Sequence, residues 1–232
     1  MHLFYCSSEE FESQFLNKEE SHHASRVLRL NPGDSILISQ GNGIIYQAQI
    51  KGLSKSKLEF YQVEVFSQEE KPNHLHIAIA PTKGLDRFEF FLEKATEVGV
   101  NEISPIIAFH SERKIYKTER GKKIILSAAK QSRSHWKTHL NEPQALSDFL
   151  KKATHENKFI AHCEDSDQKM NLLASLSNFK NALVLIGPEG DFSSQEIEQA
   201  LKSGFKAVSL GSKRLRTETA GIAVSIASKI LY

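Results

Sequence analysis

Two glycine-containing loops hold most of the residues that could do chemistry in this chain of 232 residues. They are residues 186–191 and 210–220, and they carry the charged side chains of Glu189, Arg216 and Glu218. Glycine lets a backbone approach a ligand closely and adopt positive φ, so exposed N–H and C=O groups can read an adenine edge without side chains. The same glycines are equally consistent with ordinary turns. The residue types alone therefore leave a binding site and a pair of plain turns as open alternatives.

The position of these loops follows from the elements around them. After the polar segment at residues 68–73, apolar stretches that predict strands alternate with amphipathic stretches that predict helices. This α/β pattern is typical of a parallel sheet covered on both faces, where ligands bind at the carboxyl ends of the strands. The predicted strands are residues 75–80, 103–109, 159–163, 182–186 and 207–210, and the predicted helices are residues 86–98, 118–132 and 217–232.

A further helix is predicted directly after the first loop, and its ends are well marked. Ser193 and Glu196 have the spacing of a capping box, in which each side chain satisfies a backbone N–H that the helix cannot. Phe192 and Ile197 have the spacing of a hydrophobic staple, and Gly204 is placed to end the helix.

The first 70 residues show a different spacing of apolar residues. Short strands are predicted at residues 34–38, 43–50, 57–60 and 62–66, after a helical or partly helical stretch at residues 18–30. Strands at this spacing favour a small β-barrel. The sequence therefore predicts two domains, residues 1–70 and residues 71–232.

Several common types of site have no motif in the chain. The sequence contains no P-loop, no G-x-G-x-x-G after a strand and no G-x-S-x-G nucleophile elbow. His74 and His76 lie at the start of a predicted strand with no cysteine or carboxylate cluster near them in sequence, and His22 and His23 stand next to each other. We interpret all four as incidental, and no metal site is predicted.

The start of the chain and its cysteines bear on the cellular compartment. The first 15 residues carry three glutamates and no long apolar run, which argues against a signal peptide. No stretch approaches the roughly 18 apolar residues of a membrane span. Cys6 and Cys163 are far apart, which favours a reducing compartment. The sequence predicts a cytoplasmic protein with no membrane partner.

Residues 186–193, 208–211 and 215–220 together resemble the signature of the bacterial 16S rRNA uridine-N3 methyltransferases, in the SPOUT superfamily of trefoil-knotted methyltransferases. Further matches extend the resemblance over nearly the full chain. The sequence departs from the family pattern at Asp191, where glycine is expected, and at Arg214, where an aliphatic residue is usual.

The resemblance implies a SPOUT-type parallel sheet with a deep trefoil knot, preceded by a PUA-like RNA-binding β-barrel. It implies S-adenosyl-L-methionine as cofactor, 16S rRNA of the small ribosomal subunit as partner, and N3 of an unpaired uridine, position 1498, as target. The cofactor-binding residues that it implies are Ile186, Gly187, Glu189, Gly190, Leu210, Gly211, Leu215, Arg216, Thr217, Thr219 and Ala220.

A homodimer is also implied by the resemblance. The last predicted helix has apolar residues on more than one side, and a helix that is apolar nearly all round must be buried. A partner subunit is one way to bury it. The apolar residues concerned include Ile222, Val224, Ile226, Ile230 and Leu231.

Residues 113–137 hold nine basic residues against the single acid Glu119, together with the only tryptophan, Trp136. Such clustering is typical of phosphate binding, and an aromatic ring could stack on an unpaired base. A solvated helix face is the alternative, but beside a methyltransferase signature we favour RNA binding. The candidate RNA-binding residues are Arg26, Arg29, Lys83, Arg87, Arg113, Lys122, Lys123, Lys130, Arg133 and Trp136.

Methylation at N3 of uridine requires removal of the N3 proton, so the site needs a base or donors that stabilise charge on the ring oxygens. N3 lies on the Watson–Crick edge, so the target must be unpaired or flipped out. Our hypothesis is that Glu189 is the base or orients the uracil, while Arg216 steadies charge on a carbonyl oxygen. Glu218 is the alternative carboxylate, although its place in the first turn of a helix gives it a structural explanation.

Two other functions stay open at this point. The chain could be a related knotted methyltransferase that acts on another rRNA or tRNA base or on a ribose 2′-hydroxyl. It could also be a catalytically inactive RNA-binding relative that has kept the fold.

Overall fold

The computed structural model describes residues 1–54, 56–164, 169–176 and 179–230, and the chain forms two compact units. The first unit consists of Met1–Lys71 with Ala129–Lys137, and the second of Pro72–Ala128 with Thr138–Tyr232. The predicted position of Leu231 in the last helix lies outside the described residues. Assignment of Ala129–Lys137 to the first unit depends on contacts distant in sequence, so no local pattern indicates it.

The first unit is built on a five-stranded curled sheet, a half-barrel. Its elements are β1 Leu3–Tyr5, α1 Ser8–Ser13, β2 Phe15–Leu16, α2 Lys18–His22, a π-helical turn at His23–Val27, β3 Ser35–Ser39, β4 Ile44–Leu53 and β5 Leu58–Gln68. The strands lie in the order β1-β3-β4-β5-β2. β1 pairs with β3 in parallel, and the other pairs are antiparallel. Phe4, Ile36, Ile38 and Phe60 lie in the buried core of the unit.

β5 differs from the prediction of two short strands at residues 57–60 and 62–66, because it is one continuous strand. Gln62 and Val63 stand opposite the single residue Ala48 of β4, where the register shifts. Gln62 has φ 53°. The extra residue is a β-bulge, which bends a strand without ending it.

The second unit is an α/β fold, as predicted. Its elements are β6 His74–Ile79, α3 Leu85–Val98, β7 Glu102–Ile107, α4 Thr118–Ser132, β8 His139–Leu140, β9 Gln144–Ala145, α5 Leu146–Lys152, β10 Asn157–Ala161, β11 Met170–Asn171, α6 Leu172–Ser175, β12 Asn181–Ile186, α7 Ser194–Lys202, β13 Lys206–Ser209 and α8 Thr217–Ile230. The sheet has eight strands among the described residues, with β11-β13-β10-β12-β6-β7-β8 in order and β9 beside β7. All of the pairs are parallel. The trefoil knot stays a prediction.

Both faces of the parallel sheet are buried, because alternate residues of each strand point to opposite faces. Ile77 and Val184 belong to one cluster, which contains side chains of α3 and α8. Ala78 and Leu185 belong to the other, which contains side chains of α5 and α7. α5 was not predicted from the sequence, since it is only seven residues long.

The predicted ends of α7 and α3 are confirmed. The Ser193 side chain accepts from the Glu196 backbone, and both bonds of the capping box are present. α3 ends at Gly99, which has φ 92°.

α8 buries Val224 within its own chain, whereas Ile226 is 43% exposed. No helix of the described residues is both long and apolar enough to cross a membrane.

Candidate functional site

Three loops follow strands of the parallel sheet at its carboxyl edge. The first loop, residues 187–192, follows β12, and the second loop, residues 210–216, follows β13. A third, residues 80–84, follows β6, which pairs directly with β12. Because parallel strands end at the same edge, both predicted loops and the third, which carries the RNA-binding candidate Lys83, lie where an α/β sheet binds its ligands.

A buried hydrogen bond joins the first two loops. The Oγ1 atom of Thr217 donates to the carbonyl oxygen of Gly187 over 3.0 Å. Thr217 is the first residue of α8 and is 5% exposed. The start of α8 is thereby tied to the end of β12, although 30 residues separate the bonded groups.

The two central glycines are required for different reasons. A Cβ atom at Gly187 would lie 3.1 Å from the Phe192 ring, so this glycine permits close packing inside the first loop. Gly211 has φ 124°, which L side chains rarely adopt, and no heavy atom of the described chain would lie within 4 Å of a Cβ there. The backbone at Gly211 therefore faces open space that a side chain would occupy.

Asp191, the departure from the family's glycine, has the backbone conformation that glycine favours, with φ 63°. Aspartate tolerates this region better than most residues because its short side chain can bond locally. Its Oδ1 accepts from the backbone N–H of Phe192 (2.8 Å), and its Oδ2 accepts from that of Cys163 (2.6 Å). The substitution therefore keeps the turn and also ties the first loop to the segment after β10.

Glu189 is exposed, and its Oε1 accepts from the backbone N–H of Lys83 over 2.9 Å. This bond anchors the first loop to the third, which gives the Glu189 carboxylate a structural role that its local sequence does not indicate. The contact spans 106 residues, so it depends on the pairing of β12 with β6. Its second oxygen remains available for chemistry.

Arg113, which is predicted to bind RNA, holds the third loop through hydrogen bonds from its side chain. The Arg113 guanidinium donates to the carbonyl oxygens of Thr82 (3.2 Å) and Lys83 (2.6 Å). The Lys83 ammonium lies 2.7 Å from Glu112, and both side chains are exposed. Sequence reasoning missed Thr82 and Glu112, since nothing in their local pattern marks them.

Glu218 lies in a different environment from Glu189. It is 8% exposed, and its Oε2 is buried with no hydrogen-bond partner among the described residues. With Arg87, Phe90 and Thr219 it lines a cleft of about 510 Å³ between α3 and α8. A buried carboxylate oxygen that lacks a partner is costly, so this cleft is suited to a ligand that brings a donor.

The remaining residues implied as cofactor contacts lie in the two loops or in β12 and α8 next to them. Ile186 and Ala220 are buried, whereas Gly190 and Arg216 are exposed. The Ala220 backbone N–H donates to the Arg216 carbonyl oxygen over 2.8 Å, which starts α8. Two further residues, Leu210 and Leu215, are partly buried and pack against the core.

Known proteins are similar to this chain in fold and in sequence. Residues 69–229 match a family described as an RNA methyltransferase domain, and residues 16–60 match an RNA methyltransferase PUA domain. The chain belongs to the RNA methyltransferase family. A ribosomal RNA small subunit methyltransferase E of Mesomycoplasma hyopneumoniae is 32% identical, over 90% of this chain and 94% of that protein.

Two solved structures resemble the whole methyltransferase chain. A "probable rRNA-methyltransferase" from Porphyromonas gingivalis has 34% identity and a TM-score of 0.84, with 100% of this chain and 98% of that one covered. A ribosomal RNA small subunit methyltransferase E from Neisseria gonorrhoeae, solved bound to S-adenosyl methionine, has 28% identity and a TM-score of 0.82 over the same shares.

Five of the RNA-binding candidates of the methyltransferase lie in its first unit. Arg26 and Arg29 are exposed, and Arg133 donates to the Met1 carbonyl oxygen over 3.5 Å. Lys130 pairs with Glu20, which is only 3% exposed. Trp136 donates from Nε1 to a backbone carbonyl over 3.1 Å. The last two have structural roles, and their contact with RNA stays a prediction.

The other candidates, Lys83, Arg87, Arg113, Lys122 and Lys123, lie in the second unit. Lys122 and Lys123 are exposed on α4, as expected for a surface that meets phosphate. The Lys122 ammonium lies 2.7 Å from a carboxylate oxygen of Glu142, which offsets part of its charge.

Proposed function

We propose that this chain transfers a methyl group from S-adenosyl-L-methionine to N3 of an unpaired uridine in the 16S rRNA of the small ribosomal subunit. The observation that carries the proposal is the joining of the two glycine loops by Thr217 and Gly187 at the carboxyl edge of the sheet. The similar structure solved with S-adenosyl methionine supports this choice of cofactor.

The residues present fit this cofactor. The open space at Gly211 gives room for a ligand against the backbone, and the partly buried Leu210 and Leu215 offer apolar surface beside it. The bond from Thr217 holds the Gly187 carbonyl in place in the facing loop. When bound, the cofactor supplies an electrophilic methyl group, so the chain's own residues have to orient the uracil and handle its proton.

Glu189 is our candidate for the base that accepts the N3 proton of the uridine. Its Oε1 is held by the Lys83 N–H, which leaves Oε2 to accept from N3–H and fixes the direction from which it does so. Arg216, which is exposed in the second loop, is our candidate to donate to a uracil carbonyl oxygen as charge develops there. Orientation of the base against the methyl group contributes a large share of the rate.

Glu189→Gln tests this role without releasing the loop, because an amide oxygen can still accept from the Lys83 N–H. We expect unchanged affinity for S-adenosylmethionine and single-turnover methylation slowed by about 100-fold or more. Raising the pH should partly restore the rate, since the uridine then loses its proton unaided. Glu218→Gln is the paired variant. A nearly wild-type Glu189→Gln beside an inactive Glu218→Gln would assign the role to Glu218.

The target is tested with tritiated S-adenosylmethionine and small ribosomal subunits or free 16S rRNA that lack the modification, followed by mass spectrometry of the labelled nucleotide. Label on N3 of uridine is the expected result. Label on another base or a 2′-hydroxyl would point to a different knotted methyltransferase. Cofactor binding without any transfer would favour the inactive RNA-binding relative. We further propose that the protein works as a homodimer in the cytoplasm, where small subunits are found.

A further inference from the structure

A second cluster of chemically active side chains lies at the opposite edge of the parallel sheet. His74 is the first residue of β6, Glu102 is the first residue of β7, and His155 lies just before β10. Parallel strands begin at the same edge, so these residues meet at the amino end. Each strand has five or six residues, which puts the cluster about 20 Å from the glycine loops.

The three side chains are close enough to share one ion. One ring nitrogen of His74, one of His155 and a carboxylate oxygen of Glu102 all lie within 4.8 Å of one another. His74 Nε2 and Glu102 Oε2 are 3.3 Å apart. Ligand atoms of a tetrahedral zinc site are separated by about 3.4 Å, since each bond is about 2.1 Å long. His74 and Glu102 already have this spacing, and the His155 ligand atom lies within 4.8 Å of both.

The ring of His155 has one nitrogen without a partner. Its Nε2 lies 3.2 Å from His76 Nδ1, which positions the ring, and its buried Nδ1 has no hydrogen-bond partner within the described part of the chain. A buried polar atom of this kind calls for a bound ion or water. Asn141 Nδ2 donates to Glu102 Oε1 over 2.6 Å, which orients the carboxylate.

A cleft gives the cluster access to solvent. It has a volume of about 440 Å³, and Glu102, Asn141 and His155 lie in its wall. An ion bound by three protein ligands can therefore take water as a fourth. The sequence predicts no metal site, because Glu102 and His155 are 28 and 81 residues from His74, and only the sheet brings them together.

We propose that His74, Glu102 and His155 form a binding site for one divalent transition-metal ion, with Zn²⁺ the best match to two imidazoles and a carboxylate. The ion would tie the starts of β6 and β7 to the segment before β10. This site is independent of the proposed methyl transfer.

The test uses the full chain without a histidine tag, stripped with a chelator and titrated with Zn²⁺ by calorimetry. The expected result is one ion per wild-type chain. His155→Ala and the isosteric Glu102→Gln should lower the affinity by roughly 100-fold or more, and Asn141→Ala by about 10- to 100-fold through loss of ligand orientation. Cys163→Ser and His22→Ala remove exposed metal-binding groups elsewhere and should bind as wild type does.

Thermal unfolding with and without Zn²⁺ supplies a second readout. Zn²⁺ should raise the Tm of the wild type and of both controls, and leave that of His155→Ala unchanged. Should His155→Ala fail to fold, Glu102→Gln carries the comparison. The proposal is overturned by a wild type that binds no ion stoichiometrically, or by binding that survives in Glu102→Gln and is lost in Cys163→Ser.

Discussion

The hydrogen bond between Thr217 and Gly187 gives the sharpest test of how the two loops work together. Thr217→Val keeps the shape of the side chain and removes the hydroxyl that donates to the Gly187 carbonyl oxygen over 3.0 Å. That oxygen is then left without this donor in a buried position. We expect the variant to fold, to be less stable, and to bind S-adenosylmethionine more weakly.

The magnitudes follow from the burial of the bond. A buried acceptor left without its partner costs about 1–3 kcal/mol, so the free energy of unfolding should fall by that amount. Fixing the backbone of one residue costs about 1–2 kcal/mol, and a loosened Gly187 would have to be fixed again when the cofactor binds. Since about 1.4 kcal/mol is a factor of ten, the affinity should fall by roughly tenfold.

Denaturant unfolding measures the first effect, and calorimetry with S-adenosylmethionine measures the second. Thr217→Ser keeps the hydroxyl and should bind the cofactor as the wild type does. Thr138→Val is the matched control, because Thr138 is also buried and donates to a backbone carbonyl, that of Val100, at 2.6 Å. It should lose comparable stability yet keep cofactor affinity. Equal affinity in Thr217→Val and Thr217→Ser would refute the coupling of the loops through this bond.

Three further perturbations address the cofactor, the RNA and the assembly. Gly211→Val should abolish S-adenosylmethionine binding in calorimetry by filling the open space against the Gly211 backbone. Gly187→Val should also abolish it, because its Cβ would lie 3.1 Å from an aromatic ring. Reversing the charge of Lys122 and Lys123 should flatten the dependence of log K on log salt by about 0.7 for each phosphate contact that is lost. Light scattering should show a dimer at micromolar concentration, and Ile226→Glu should dissociate it, because this side chain is 43% exposed in the single chain.

Matched variants keep these outcomes interpretable. Gly33→Val introduces a side chain at φ 93° with equally open surroundings in the first unit, and should keep cofactor affinity. Reversal of the exposed Lys151 and Lys152 on α5 should leave the salt slope unchanged, whereas Lys130 is unsuitable because it pairs with a buried glutamate. Ile115→Glu alters a side chain that is 77% exposed and should leave the dimer intact. A monomeric wild type, or an unchanged slope after reversal on α4, would contradict the corresponding prediction.

The elements of the second unit were predictable because their signals are local. The capping box of α7 depends on residues three apart, and the buried face of α3 repeats at helical spacing. Alternation of strands and helices then places any loop after a strand at the carboxyl edge. For that reason the sequence alone located both glycine loops and, through its resemblance to a family, their cofactor. It could not predict the bulge at Gln62, which joins two apparent strands into one.

Contacts between distant residues were decided only by the tertiary structure. Glu189 has no helix-capping role that the sequence indicates, but the pairing of β12 with β6 brings it to the Lys83 N–H. Lys130 reads as one of a run of free cations, but the fold sets it beside Glu20. His74 reads as incidental until the starts of parallel strands bring Glu102 to it. Local patterns determine which residues form helices and strands, whereas the register between strands determines which side chains meet, and that register is a property of the whole sheet.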